Sequence, residues 1–155
     1  MNGETQMGFK KILIPADGSE FTKKAVEQGI RIAKLGDGAI TAIHILDQAV
    51  YASMPMDSSV VDLYETMRAE GRAALDYVRG RCEAEGVEAV TELIEGSPAK
   101  VIIKMSAEHD LVVMGTLSKR GMTKILLGSV AEKVLEKAEC PVMVVNASAL
   151  EREGC

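Results

Sequence analysis

Short, almost purely aliphatic runs recur along this chain, and a stretch with helical periodicity follows each but the last. KKILIPAD (Lys10 to Asp17), AITAIHIL (Ala39 to Leu46), DLVVMG (Asp110 to Gly115) and VMVVN (Val142 to Asn146) are too apolar to leave either face in water. VEAVTELIE (Val87 to Glu95) alternates enough for a half-exposed strand. Near-continuous apolar strands joined by helical crossovers mean a parallel sheet covered on both faces. The pattern predicts a three-layer α/β sandwich, strand and helix alternating five times.

Between the strands, the spacing predicts helices over Glu20 to about Lys34, from Ser59 to Glu85, from Pro98 to near His109, and from about Ser129 to Lys137. Ser59-Val-Val-Asp62 reads as a capping-box start, and Gly71 and Gly80 are tolerated inside that helix at about 1 kcal/mol each. Ser97-Pro98 places a capping residue before a proline at the first helical position. The Met54-Pro55-Met56 loop would pack over a neighbour or serve as a lid or dimer contact.

At 155 residues, 47% of them hydrophobic, the chain predicts one domain over 1–155, with a core of about 10–146. A net charge of -5 argues against a nucleic-acid binder, which needs clustered Lys and Arg. No apolar run approaches the roughly 18 residues of a membrane span, and no signal-peptide pattern opens the sequence, so a soluble cytoplasmic protein is expected. Cys82, Cys140 and Cys155 form no CxxC pair, and two histidines, His44 and His109, are few for a metal centre or a catalytic triad.

In sheets of this kind ligands bind beyond the carboxyl ends of the strands, where strand order reverses. If the order is 3-2-1-4-5, the loops after strands one and four face one crevice. The first holds Pro15-Ala-Asp17-Gly18-Ser19; the second runs from Gly115 to Val130 with Lys119, Arg120 and Lys124 and no acid. Ser129-Val-Ala-Glu132 fits a capping box, yet a helix amino terminus after glycine is also an anion site, and both readings use the same atoms. Asp17 likewise reads either as an Asx-type turn or as a ligand-binding carboxylate. The loop is neither a Walker loop nor a dinucleotide fingerprint. It has no Gly-Lys-Ser/Thr ending, and Gly36-Asp-Gly38 follows a helix rather than a strand.

Gly115-Thr-Leu-Ser118, nine residues, then Gly128-Ser129-Val130 resembles the G-x2-G-x9-G-(S/T) signature of the universal stress protein family, in its ATP-binding branch. ILIPADGSE, HIL, DLVVMG and GSVAEKVLEKAECPVMVV extend the resemblance from about Lys10 to Asn146. The resemblance implies a Rossmann-like, adenine nucleotide alpha hydrolase-like fold: a five-stranded parallel sheet of order 3-2-1-4-5 with helices on both faces. It implies a stress-response dimer joined through Val142 to Asn146 and binding ATP, with Mg²⁺ reached through Asp17. Nucleotide contacts would come from Ala16, Asp17, backbone near Ile45, Met114, Gly115, Ser118, Gly128, Ser129 and Val130. Ser118 departs from the signature, standing where the second glycine belongs. A left-handed backbone there would cost ~1–2 kcal/mol, whereas a hydroxyl bond to phosphate would return about 1.5–3 kcal/mol. An interaction module without nucleotide is the alternative. Phosphoanhydride cleavage would need a placed base, for which Asp17 is the evident candidate.

Overall fold

The computed structural model describes residues 8–116 and 127–146. Its elements run β1 (Lys11–Pro15), α1 (Glu20–Gly36), β2 (Ala39–Asp47), α2 (Gln48–Tyr51), α3 (Ser58–Glu85), β3 (Ala89–Gly96), α4 (Pro98–Ser106), β4 (Leu111–Gly115), α5 (Ser129–Lys137) and β5 (Val142–Val145). The strands form one five-stranded parallel sheet of order β3-β2-β1-β4-β5, as expected.

Side chains on a strand alternate between faces, and the central strand shows what this does to the core. Ile12 and Ile14 point to one side, where they meet Ala25, Val26 and Ile30 of α1 and Val78 and Cys82 of α3. Leu13 points to the other and joins Ile43, Val112, Ile102 of α4 and Ala131 and Val134 of α5. All three β1 residues are fully buried, so neither face could accept a polar substitution without a large penalty. At the amino-terminal edge of the sheet, Asp110 Oδ2 accepts the backbone N–H groups of Lys10 (3.0 Å) and Lys11 (2.9 Å), tying the entry of β4 to that of β1.

Two capping assignments change. Helix α3 is capped by Asp57, not by Ser59: the Asp57 backbone is extended and its side chain accepts from Ser59 N, because an aspartate one residue before the helix reaches that amide directly. Ser97 caps α4 ahead of Pro98 as expected, through its extended backbone and without a side-chain cap bond. Helix α5 begins after Gly128, whose backbone is extended at φ -68° and ψ 159°, so Ser129 is its first helical residue and caps nothing. Helix α2, four residues long and capped by Asp47, is an element the sequence pattern does not predict. Tyr51 anchors this turn by setting its ring edge-on to Tyr64 of α3 at 5.6 Å.

Candidate functional site

Strands β1 and β4 are hydrogen-bonded neighbours, but their pairing reaches only Ile12↔Leu111 and Leu13↔Val112. Beyond that register β1 stays with β2 through Pro15↔Ile43, while β4 stays with β5 through Gly115↔Val145. The carboxyl ends therefore part, at the point where strand order reverses. A cavity of about 320 Å³ opens there, within the range of small-molecule sites.

Eight residues singled out from the sequence line this cavity: Ala16, Asp17, Ile45, Met114, Gly115, Gly128, Ser129 and Val130. Ser118, the ninth, lies outside the described residues, as do Lys119, Arg120 and Lys124. The structure adds Thr22, His44, Asp47, Pro98 and Thr116, among others, to the lining.

Each wall has a local cause. Asp17 Oδ1 accepts from the Ser19 amide (2.8 Å) and the Thr22 hydroxyl (2.5 Å), so the Asx-type turn is real and the carboxylate is held at the cavity edge. Since that carboxylate only accepts, Thr22 donates to it and the Ser19 hydroxyl, 3.2 Å away, donates to Thr22 Oγ1. Ser19 Oγ in turn accepts from Thr22 N, capping α1. Gly115 is constrained from behind: a Cβ there would lie 3.0 Å from the carbonyl carbon and oxygen of Phe21, so α1 requires a bare backbone at the end of β4.

The start of α5 lines the same cavity. Glu132 N bonds Gly128 O, the first bond of the helix, and Gly128 N–H is taken by Thr116 O at 2.9 Å. The amides of Ser129, Val130 and Ala131 precede that first bond, and Gly128 has no side chain to cap them. This end of the helix carries partial positive charge, and Asp17 and Asp47 line the same cavity. Among the described lining residues there is no Lys or Arg. No group of three or more His, Cys, Asp or Glu able to hold a metal occurs among the described residues. His44, a strand residue as expected, bonds the Ala16 carbonyl through Nδ1 at 2.6 Å.

The family model for universal stress proteins matches residues 8–146, nearly the whole described chain. The chain belongs to the universal stress protein family. A universal stress protein of Methanocaldococcus jannaschii is 42% identical over 147 residues, covering 94% of this chain and 85% of its own. Among solved structures, the universal stress protein UspA of Lactobacillus plantarum superposes with a TM-score of 0.73 at 25% identity, over 89% of this chain and 98% of that one. A family member from Arabidopsis thaliana, solved with AMP bound, has a TM-score of 0.67 at 22% identity, covering 92% of this chain and 94% of its own. The likeness to these structures extends over the five-stranded parallel sheet with helices on both faces. No helix among the described residues is long and apolar enough to cross a membrane.

Proposed function

We propose that this universal stress protein binds an adenine nucleotide, ATP in the first place, in the cavity between β1 and β4, and acts as a cytoplasmic regulatory homodimer. The observation that carries this reading is the meeting, in one cavity, of the amino terminus of α5, the Asp17 turn and the end of β2. Free amides at a helix amino terminus suit phosphate, and the backbone near Ile45 suits the edge of a planar base. The AMP-bound Arabidopsis relative supports the ligand class.

The electrostatics favour a cation with the nucleotide. Two carboxylates and no basic side chain among the described lining residues would repel a bare triphosphate. Mg²⁺ is commonly held by one or two carboxylates together with substrate phosphates rather than by a protein cage, and Asp17 at the cavity is a carboxylate of that kind. Bound there, the ion would neutralise phosphate charge; Asp17 would orient it, and the α5 amides would hold the phosphate oxygens. Dimerisation through Val142 to Asn146 is supported by β5 lying at the sheet edge with Met143 exposed.

Isothermal titration of the purified protein with ATP and Mg²⁺ tests the reading. Micromolar binding that disappears in Asp17→Ala is expected. Folded protein that gives no heat, and releases no adenine nucleotide on denaturation, overturns it. Ser118 in place of the signature's second glycine would then favour the second reading, a protein-interaction module that has kept the fold without the ligand.

A further inference from the structure

Helix α3 carries a glycine, Gly71, in its middle, facing β2 and β3, and the position is buried. A Cβ at 71 would lie 2.5 Å from Cδ2 and 3.0 Å from Cγ of His44, and 2.7 Å from Cδ1 of Leu93. The imidazole therefore occupies space that any other residue at 71 would claim. From this slot His44 Nδ1 reaches the Ala16 carbonyl at 2.6 Å. A carbonyl oxygen only accepts, so Nδ1 carries the proton, in the neutral ring as in the cation. Ala16 is fixed from its other side by its own N–H, which donates to Ile43 O at 2.8 Å. The next residue is Asp17, whose Oδ1 holds the Ser19 amide and the Thr22 hydroxyl.

We infer that His44 is a positioning residue for the Asp17 turn: seated in the Gly71 slot, it holds the Ala16 carbonyl and so fixes where the Asp17 carboxylate stands in the cavity. The strand end after Pro15 needs such a tie. Pairing between β1 and β4 has already stopped at Leu13↔Val112, and Pro15 has no N–H to offer a neighbour. Past Pro15 the peptide is held to β2 by the two bonds at Ala16, one from its own amide and one from the His44 ring. The effect on ligand affinity rests on the nucleotide reading above; the effect on the turn does not.

The test compares His44→Asn with His44→Leu, side chains of similar size of which only Asn can place an N–H where Nδ1 was. Two readouts are taken: amide hydrogen exchange of Ala16 and Ser19 in nucleotide-free protein, corrected for global stability by urea unfolding, and AMP affinity by calorimetry. Leu should raise exchange at both amides and weaken AMP by about tenfold, with Asn within about threefold of the parent on both. A ring that merely filled space would be replaced better by Leu than by Asn, and that ordering, or equal behaviour of the two, overturns the inference. Gly71→Ala displaces the ring without altering it and should reproduce the Leu exchange pattern; unchanged exchange there also overturns it. If the parent binds neither AMP nor ATP with Mg²⁺, the nucleotide reading fails while the exchange comparison still decides the role of His44.

Discussion

The amide of Gly128 donates to the carbonyl of Thr116 at 2.9 Å, and Thr116 N donates onward to Val145 O at 3.2 Å. The two ends of the segment between β4 and α5 are thus fastened to each other and to β5. This fixes the start of α5 relative to the end of β4, and with it the distance across the cavity from the α5 amides to Gly115. The Gly128 N–H is consequently spent on structure, and the donors of the first turn that would face an anion, among the described residues, are those of Ser129, Val130 and Ala131.

Gly128 has φ -68°, a value any L-residue adopts, so its backbone does not demand glycine. Gly128→Ala should therefore fold, losing about 1 kcal/mol or less from the poorer cap. If a phosphate approaches the backbone here, the added methyl will weaken ATP by about tenfold or more. Thermal unfolding and calorimetry on the same sample separate the two effects. Unchanged affinity would move the phosphate away from Gly128.

Thr22 is buried, and its hydroxyl donates to Asp17. Thr22→Val keeps the shape and removes the donor, leaving Oδ1 with the Ser19 amide alone. Urea unfolding should show a loss of about 1–3 kcal/mol, as for a hydrogen bond to a charged acceptor. A variant as stable as the parent would mean that the Asp17 turn is held by its backbone only.

The strands and the main helices were legible because their signals are periodic and long: Ile12-Leu13-Ile14 cannot be placed anywhere but the centre of a sheet. The strand-end rule points to Asp17 and Gly115, and the family signature to Gly128 through Val130. What the sequence could not disclose depends on register and on one-residue offsets. Asp57 rather than Ser59 caps α3, Gly128 rather than Ser129 caps α5, and the four residues of α2 are too few to show a period. His44 and Gly71 are 27 positions apart, and neither has a local reason to be what it is. A polar ring in an apolar strand and a glycine in a long helix were two separate oddities, and only the packing of α3 on β2 makes each explain the other.

An ion-pair chain links α1 to α3. Arg81 binds Glu27 through Nε–Oε1 (2.6 Å) and Nη2–Oε2 (3.0 Å), reaches Glu85 at 3.3 Å, and Glu85 meets Lys34 at 2.9 Å. The Lys34 hydrogen bond and charge, followed by Arg81, hold the Glu85 carboxyl below its ordinary value of 4.5. A carboxyl depressed in the folded state stabilises at pH above its unfolded value, and that contribution is lost as pH falls through the folded value. Glu85→Gln should therefore be less stable than the parent at pH 7, with the gap closing on acidification below 4.5 and narrowing in high salt. A gap independent of pH would show that the chain contributes through packing alone.

Cys82 sits fully buried on α3, and burial pushes its thiol up to about 11. Both facts suppress the thiolate that reacts with disulfide reagents. In a chain whose other cysteines, Cys140 and Cys155, are replaced by serine, labelling at pH 8 should be at least about a hundredfold slower in the native protein than in urea. Fast native labelling would mean that the α3 face of the core opens locally.

Strand β5 pairs with β4 along one side from Val112↔Val142 to Gly115↔Val145 and ends the sheet on the other. Met143 is 37% exposed there, in a run that carries no charge to discourage pairing. An edge of this kind is a template for a second copy, and a two-fold axis would let the same residues meet themselves. A lysine at the edge is the usual deterrent, because pairing would bring two like charges together. Light scattering should find the parent as a dimer and Met143→Lys as a monomer with the same melting profile at low concentration. Since Met143 does not line the cavity, nucleotide affinity per chain should stay within about threefold of the parent. A parent that is monomeric at tens of micromolar would remove β5 as the interface, and a large affinity loss in the variant would mean that dimerisation helps to form the site.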